Sequence, residues 1–144
     1  MAAGPFRRLK GENLGIMTDF DAQPGLAGKV LVVDDEEDIR NLFAEILTDC
    51  GYEVHVTADG VEAQKVLQAG SYDLVITDLV MPNREGIETI QEIRRSYPRL
   101  KIIAVSGAFG GRFLEAAAML GAAATLLKPV SPNQLIEAVR RTLG

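Results

Sequence analysis

Apolar residues occur along the chain in two alternating patterns. Short β-branched runs such as Val30 to Val33 are apolar throughout, which is typical of strands buried on both faces of a parallel sheet. Between these runs, apolar residues recur at spacings of three and four, as they do from Ile39 to Cys50, and this period predicts amphipathic helices. From residue 29 onward, the alternation predicts five strands, each followed by a helix.

The boundaries of these elements follow from capping residues. Strands are predicted at 30–33, 53–57, 74–77, 102–105 and 123–127. Asp59 and Ser131 are the expected N-caps of the second and fifth helices, because Glu62 and Gln134 stand three residues later in a capping-box pattern. Strands that are separated by helices imply right-handed crossovers. We therefore expect an α/β fold with a parallel sheet covered on both faces.

Composition narrows the class of protein. The chain has 144 residues, 47% of them hydrophobic, which suits one domain with a full core and excludes a disordered or fibrous chain. Its net charge of −5 argues against direct binding to nucleic acid or to an anionic membrane surface. Cys50 and His55 are the only residues of their types, so neither an internal disulfide nor a Cys/His zinc site is possible. We expect both to be packing or surface residues.

The sequence contains no segment that predicts export or membrane insertion. Its apolar runs are shorter than the roughly 18–20 residues that span a bilayer, and no apolar stretch follows the basic N-terminal residues as in a secretory signal. We therefore expect a cytoplasmic protein. Residues 1–28 are rich in glycine and lack a sustained apolar period, so they predict a flexible extension before a domain at 29–144. A linker, an expression remnant, a true start at Met17 and a docking arm remain open for that segment.

Polar and charged residues follow four of the predicted strands. Asp34 and Asp35 come after the first, Asp78 after the third, Ser106 after the fourth and Lys128 after the fifth. Because functional sites in open parallel sheets lie beyond the carboxyl ends of the strands, these side chains are expected to converge on one pocket.

Such a convergence of carboxylates requires a compensating positive charge. Two carboxylates about 4 Å apart repel by roughly 4 kcal/mol at an effective dielectric near 20. Lys128 supplies one positive charge, and a hard cation such as Mg²⁺, which prefers carboxylates, waters and phosphate oxygens, would supply the rest. With no cysteine or histidine at the strand ends, an aspartate is the available nucleophile, and it can accept a phosphoryl group as an acyl phosphate.

Each of these residues also has a purely structural interpretation. Asp78 could be a turn residue, Ser106 a strand-end cap and Lys128 a surface cation, although their coincidence at one sheet edge favours a site. The acidic residues 36–38 are expected to be a solvated helix start. The same run partly matches a calcium-binding EF-hand loop, but Ile39 stands where that loop requires glycine, so we exclude it.

Four motifs together resemble the receiver domain of bacterial two-component response regulators. They are Asp34-Asp35, Asp78-Leu79-Val80-Met81-Pro82 followed by Gly86, Ser106-Gly107, and Lys128-Pro129. The resemblance covers about residues 29–143. It implies a flavodoxin-like, doubly wound (βα)5 fold with strand order 2-1-3-4-5, and a cis peptide bond between Lys128 and Pro129.

The resemblance also implies roles for individual residues. Asp78 would be the phosphoacceptor, Lys128 would contact a phosphoryl oxygen, and Ser106 would hydrogen-bond the phosphoryl group. Mg²⁺ or Mn²⁺ would be bound by Asp35, Asp78 and the backbone carbonyl of Val80, with Asp34 contributing through water. The implied partners are a histidine kinase or a histidine phosphotransfer protein as donor, and an unknown downstream protein. The chain would be a monomer or a phosphorylation-dependent dimer.

Two positions depart from the family pattern. Thr125 stands where many receivers have an aromatic residue that changes rotamer with Ser106, so the switch is expected to differ. Val80 is apolar and cannot position an attacking water, so we predict slow self-dephosphorylation. Three hypotheses remain open. The chain is a stand-alone receiver signalling through its fourth helix, fifth strand and fifth helix, a receiver excised from a hybrid kinase or longer regulator, or a phosphorylation-independent interaction module.

Overall fold

A computed structural model of the chain describes residues 27–79, 86–107 and 112–144. In these residues five strands alternate with five helices. In chain order they are β1 (Lys29–Val33), α1 (Glu37–Asp49), β2 (Glu53–Thr57), α2 (Gly60–Ala69), β3 (Leu74–Asp78), α3 (Gly86–Ser96), β4 (Lys101–Ser106), α4 (Arg112–Met119), β5 (Ala124–Leu127) and α5 (Pro132–Leu143). Every strand and helix predicted from the sequence is present, with ends shifted by a residue or two.

The strands form one parallel sheet in the order β2-β1-β3-β4-β5. This is the doubly wound, flavodoxin-like order that the family resemblance implied. The three central strands β1, β3 and β4 are almost wholly buried, whereas the edge strands β2 and β5 are partly exposed. The central strands are apolar throughout because both of their faces are covered.

Two hydrophobic clusters lie on opposite faces of the sheet. Leu31 and Val33 point into the first cluster, which contains apolar residues of α2, α3 and α4. Val30 and Val32 point into the second, which contains residues of α1 and α5. The alternation along β1 follows from the two-residue period of a strand. Neither cluster includes Asp34, Asp78 or Ser106, which lie at the carboxyl ends of β1, β3 and β4.

The predicted helix caps are present, one of them in a modified form. The Ser131 hydroxyl accepts from the Gln134 backbone N at 3.1 Å, and the Gln134 side chain accepts from the Ser131 backbone N at 2.9 Å, which completes a capping box. Asp59 likewise accepts from the Glu62 backbone N at 2.9 Å. The Glu62 carboxylate, however, accepts from the backbone N of Ala58, one residue before the cap, at 2.8 Å.

Some expectations concern residues outside the described part of the chain. They are the flexible extension at 1–28, of which only the last two residues are described, and the backbone carbonyl of Val80. Both stay predictions. No helix in the described ranges has the length and apolarity that crossing a membrane requires.

Candidate functional site

Three aspartates lie together at the carboxyl edge of the sheet. Asp34 follows β1, Asp35 is next to it, and Asp78 ends the neighbouring strand β3; each offers a carboxylate oxygen within 4.8 Å of the others. The side chains of Asp34 and Asp78 are only 3% and 8% exposed, whereas Asp35 is exposed. We call these three residues the aspartate cluster. Their proximity follows from the parallel pairing of β1 with β3.

Lys128 reaches this cluster from the end of β5. Its Nζ lies 2.9 Å from Asp78 Oδ2 and 3.2 Å from Asp34 Oδ2. The stem of Lys128 passes close to Gly107, where an added Cβ would lie 3.1 Å from the Lys128 Cβ. Glycine at 107 therefore leaves room for the lysine stem. The Lys128–Pro129 peptide bond is cis, as the family resemblance implied.

The pKa values of Lys128 and Asp34 are both raised, for different reasons. Burial disfavours the charged form of Lys128, but the hydrogen bond and charge of Asp78, and then those of Asp34, outweigh burial and hold the pKa of Lys128 above its ordinary value. Burial raises the pKa of Asp34, although its hydrogen bond from the Glu36 backbone N and the nearby ammonium oppose the rise. One ammonium thus leaves the aspartate cluster with excess negative charge.

The aspartate cluster has the donor set of a hard-cation site. All three ligands are carboxylates, and Mg²⁺, Mn²⁺ and Ca²⁺ are the ions that prefer oxygen donors. The excess negative charge would also be relieved by a divalent ion. These residues could therefore hold a metal ion.

Ser106 and Thr125 occupy different positions relative to the cluster. Ser106 ends β4, which lies between the strands that carry Asp78 and Lys128, and it is fully buried. Its backbone carbonyl accepts from the Lys128 backbone N at 3.1 Å. Thr125 is exposed on the edge strand β5, three residues before the lysine. Ser106 therefore lies beside the strand ends that carry the Lys128 ion pairs. Thr125 lies farther from those ion pairs, within β5.

Two residues of this network were not identified from the sequence. Glu36 is exposed at the start of α1, as expected of a helix start, but its carboxylate also lies 3.3 Å from Lys128 Nζ. The Arg40 guanidinium, one helical turn later, donates to the backbone carbonyl of Asp34 at 2.9 Å. The acidic run was the available signal for Glu36. Nothing in the sequence distinguishes Arg40 from an ordinary surface arginine.

Gly86 fixes the backbone beside Asp78. Its backbone N donates to the Leu79 carbonyl at 2.9 Å, and an added Cβ would lie 2.3 Å from the Leu79 Cα and 2.5 Å from the Asp78 carbonyl oxygen. Only glycine permits α3 to begin so close to the end of β3. The glycine in the sequence motif thus allows α3 to begin directly against the backbone of Asp78 and Leu79.

Residues 30–140 match the family described as the response regulator receiver domain. The chain belongs to this family. Receiver domains act in two-component signalling, and the aspartate cluster of this receiver is consistent with phosphoacceptor signalling.

Individual relatives agree with this assignment. The chain is 39% identical over 120 residues to the sensor kinase CckA of Brucella abortus, and 42% identical over 127 residues to the transcriptional regulatory protein PdtaR of Mycobacterium tuberculosis. These matches cover 79% and 87% of this chain but 12% and 60% of the relatives. The chain therefore spans only part of their length.

A solved structure is also similar to this receiver. It is the response regulator protein TrrA of Thermotoga maritima in complex with Mg²⁺-BeF. The TM-score is 0.72 at 36% identity, and the match covers 79% of this chain and 97% of that one. This similarity supports the same fold over nearly the whole of TrrA.

Proposed function

We propose that this receiver domain accepts a phosphoryl group on Asp78 from a phosphohistidine of a histidine kinase or a histidine phosphotransfer protein. The observation that carries the proposal is the Lys128 ammonium, 2.9 Å from Asp78 and next to two further aspartates. Because the ammonium is already positioned beside Asp78, it would stabilise the negative charge of a phosphoryl group on that carboxylate. Encounter with such a donor would take place in the cytoplasm.

Asp78 is a better acceptor than its neighbours in the aspartate cluster. Asp34 Oδ1 accepts from the Glu36 backbone N at 2.9 Å, which ties this carboxylate to the loop after β1. Asp35 is exposed on the loop after β1. Asp78 lies on a central strand, and its carboxylate lies 2.9 Å from the lysine, closer than Asp34 at 3.2 Å or Glu36 at 3.3 Å. A phosphoryl group on Asp78 would therefore lie within reach of both the ammonium and Ser106.

The cofactor we propose is Mg²⁺, with Mn²⁺ as its substitute. Asp34, Asp35 and Asp78 would hold it, and the Val80 backbone carbonyl, outside the described residues, is the further ligand that the family resemblance implies. The metal complex named for TrrA supports this choice of ion. When bound, the ion supplies positive charge that offsets the charge of the transferring phosphoryl group.

The proposed transfer is an in-line displacement. A carboxylate oxygen of Asp78 attacks the phosphorus of the phosphohistidine, so that an oxygen–phosphorus bond forms as the phosphorus–nitrogen bond breaks. The imidazole leaves and takes up a proton from solvent. Lys128 stabilises the equatorial phosphoryl oxygens, and the Ser106 hydroxyl then donates to one of them.

The signal would leave the domain through α4, β5 and α5. Met119 and Leu127 on this side are 88% and 52% exposed, so two large apolar side chains are available there to contact a protein partner. Thr125, exposed between them in the chain, would take the place of the aromatic switch residue. NMR of the Met119 methyl group before and after phosphorylation tests this proposal, and an unchanged signal would contradict it.

Intact-mass spectrometry tests phosphoryl acceptance. The purified chain is incubated with a small acyl phosphate and Mg²⁺, and we expect a mass gain of one phosphoryl group. Asp78→Asn should abolish the gain, whereas the matched control Asp49→Asn, an exposed aspartate at the end of α1, should keep it. Equal labelling of Asp78→Asn and wild type would contradict the proposal.

A further inference from the structure

A pocket of about 420 Å³ lies at the opposite edge of the sheet from the aspartate cluster. It is formed where α3 ends, where β4 begins and where the chain turns from α4 into β5. Its lining residues are Arg94, Pro98, Arg99, Leu100, Lys101, Gly121 and Ala123. We call this the basic pocket. The volume lies within the range of about 300–1,000 Å³ that is usual for small-molecule sites.

The basic pocket carries a concentrated positive charge. Three of its seven lining residues are cationic, and none of the described lining residues is acidic, in a chain whose net charge is −5. Asp73, which precedes β3, accepts from the Lys101 backbone N through its own backbone carbonyl at 3.4 Å, and its carboxylate accepts from the Lys29 backbone N at 2.8 Å. The cations of the pocket therefore have no carboxylate among the residues that line it.

Arg94 is held in a fixed orientation. Its Nη1 donates to the Leu100 carbonyl at 2.8 Å, and its Nη2 donates to the Pro98 carbonyl. Its stem lies against Gly121, where an added Cβ would be 3.4 Å from the Arg94 Cδ. A guanidinium has five N–H groups, so two carbonyls do not exhaust its donors. An arginine immobilised by its own chain loses little further conformational freedom when it binds a ligand.

A favourable interaction with the dipole of α3 explains only part of the positive charge of the basic pocket. Arg94 and Arg95 lie in the last turn of α3, where cations interact favourably with the helix dipole. Arg99 and Lys101 lie beyond the helix, and both are exposed. Two of the three cations in the basic pocket therefore remain without a role in capping α3.

We propose that the basic pocket binds a small anion that bears one or more phosphate groups. Arginine forks match phosphate oxygens in geometry, and lysine adds a mobile point charge. Pro98 and Ala123, which are exposed, provide apolar surface for a part of the ligand that carries no phosphate. A concave site of this size suits a small molecule better than a flat protein surface. The site is independent of phosphoryl acceptance by Asp78.

Amide NMR of the full chain in divalent-free buffer tests the proposal. The probes are pyrophosphate, adenosine diphosphate and adenosine. We expect saturable shifts at Leu100, Lys101 and Gly121 with both phosphate-bearing probes and none with adenosine. Tighter binding of adenosine diphosphate than of pyrophosphate would identify a nucleotide-like ligand, and equal binding would identify the phosphate group alone.

Two double variants of equal charge provide the matched comparison. R99Q/K101Q removes two cations of the basic pocket and should weaken binding at least about tenfold, which corresponds to roughly 1.4 kcal/mol. R95Q/R141Q removes two exposed arginines outside the lining and should bind as wild type does. No saturable shift with either phosphate-bearing probe, or equal weakening in both variants, would overturn the proposal. R99Q/K101Q should still be phosphorylated on Asp78, so the two proposals can fail separately.

Discussion

Replacing Lys128 by methionine removes the positive charge at the aspartate cluster while keeping a similar side-chain length. The Lys128 side chain is 20% exposed, and its contacts to Asp34 and Asp78 involve nearly buried carboxylates. The contact to the exposed Glu36 adds little, because surface ion pairs contribute weakly. The variant therefore leaves two buried carboxylates without their counter-ion.

The magnitude follows from the spacing of the cluster. The carboxylate oxygens of the aspartate cluster lie within 4.8 Å of one another. At that distance two negative charges repel by about 3.5 kcal/mol at an effective dielectric near 20. Removing one partner of a buried ion pair typically costs about 3–5 kcal/mol. Asp34 can relieve part of this cost by taking up a proton, because burial already raises its pKa. We expect Lys128→Met to lower the free energy of unfolding by about 2–4 kcal/mol at neutral pH without metal.

The sign of the pH dependence follows from the raised pKa of Lys128. A cation whose pKa is higher in the folded chain contributes its full stability below its unfolded pKa, and this contribution is lost as pH rises through the folded value. At neutral pH the contribution is therefore complete. In acid, protonation of the carboxylates removes what the ammonium stabilises, so the difference between wild type and variant should shrink.

Urea unfolding with chelator and with Mg²⁺ measures the effect. Mg²⁺ should stabilise Lys128→Met more than wild type, because the ion replaces the lost charge. In an Asp78→Asn background the loss should be smaller, with a coupling of at least about 1 kcal/mol. The control Lys65→Met, at an exposed position of α2, should unfold as wild type does. Wild-type stability of Lys128→Met in chelator would refute this account of the site.

Four further predictions concern packing, protonation, dephosphorylation and capping. Gly86→Ala should cost about 1–3 kcal/mol in urea unfolding and reduce labelling of Asp78, because the Cβ overlaps the end of β3; unchanged stability would contradict this. Asp34→Asn should stabilise the metal-free chain at neutral pH. Because burial raises the Asp34 pKa, the folded chain binds the proton more tightly. The gain should shrink as pH falls through that raised value and vanish below the ordinary carboxyl pKa; a gain that persisted there would show another cause. The phosphoryl group should persist for minutes or longer on the purified wild type, and Val80→Asn should shorten its lifetime in a phosphate-release assay; a wild-type half-life of seconds would contradict the prediction. Ser131→Ala should cost about 1 kcal/mol in urea unfolding, since it removes the N-cap acceptor for the Gln134 backbone N, and a loss near zero would mean that the capping box adds no stability.

The fold could be predicted from the sequence because its local signals agree with its tertiary packing. The run at Val30 to Val33 is apolar because two helical layers cover it. Ser131, Pro132 and Gln134 form at the start of α5 the cap that their order predicts. The carboxyl ends of parallel strands lie at the same edge of the sheet. This rule alone predicted that the residues after the strands would lie together, and the structure confirms it for Asp34, Asp35, Asp78 and Lys128.

Contacts between distant elements could not be predicted in the same way. An acidic residue at a helix start, such as Glu36, is already explained by the helix dipole. Its contact with Lys128 joins residues 92 positions apart and depends on the tertiary fold. Nothing in the sequence distinguishes Arg94, Arg99 and Lys101 from ordinary surface charges. Their convergence on the basic pocket depends on the turn between α4 and β5, which closes the opposite wall.

Mapping the phosphorylated residue tests the central claim most directly. The chain is phosphorylated with a small acyl phosphate and Mg²⁺, treated with borohydride, which reduces an acyl phosphate to the alcohol, and analysed by peptide mass spectrometry. We predict conversion of Asp78 to homoserine, with Asp34 and Asp35 unchanged. Reduction at Asp34 or Asp35 instead, or at no carboxylate in a chain that had gained phosphoryl mass, would contradict the account.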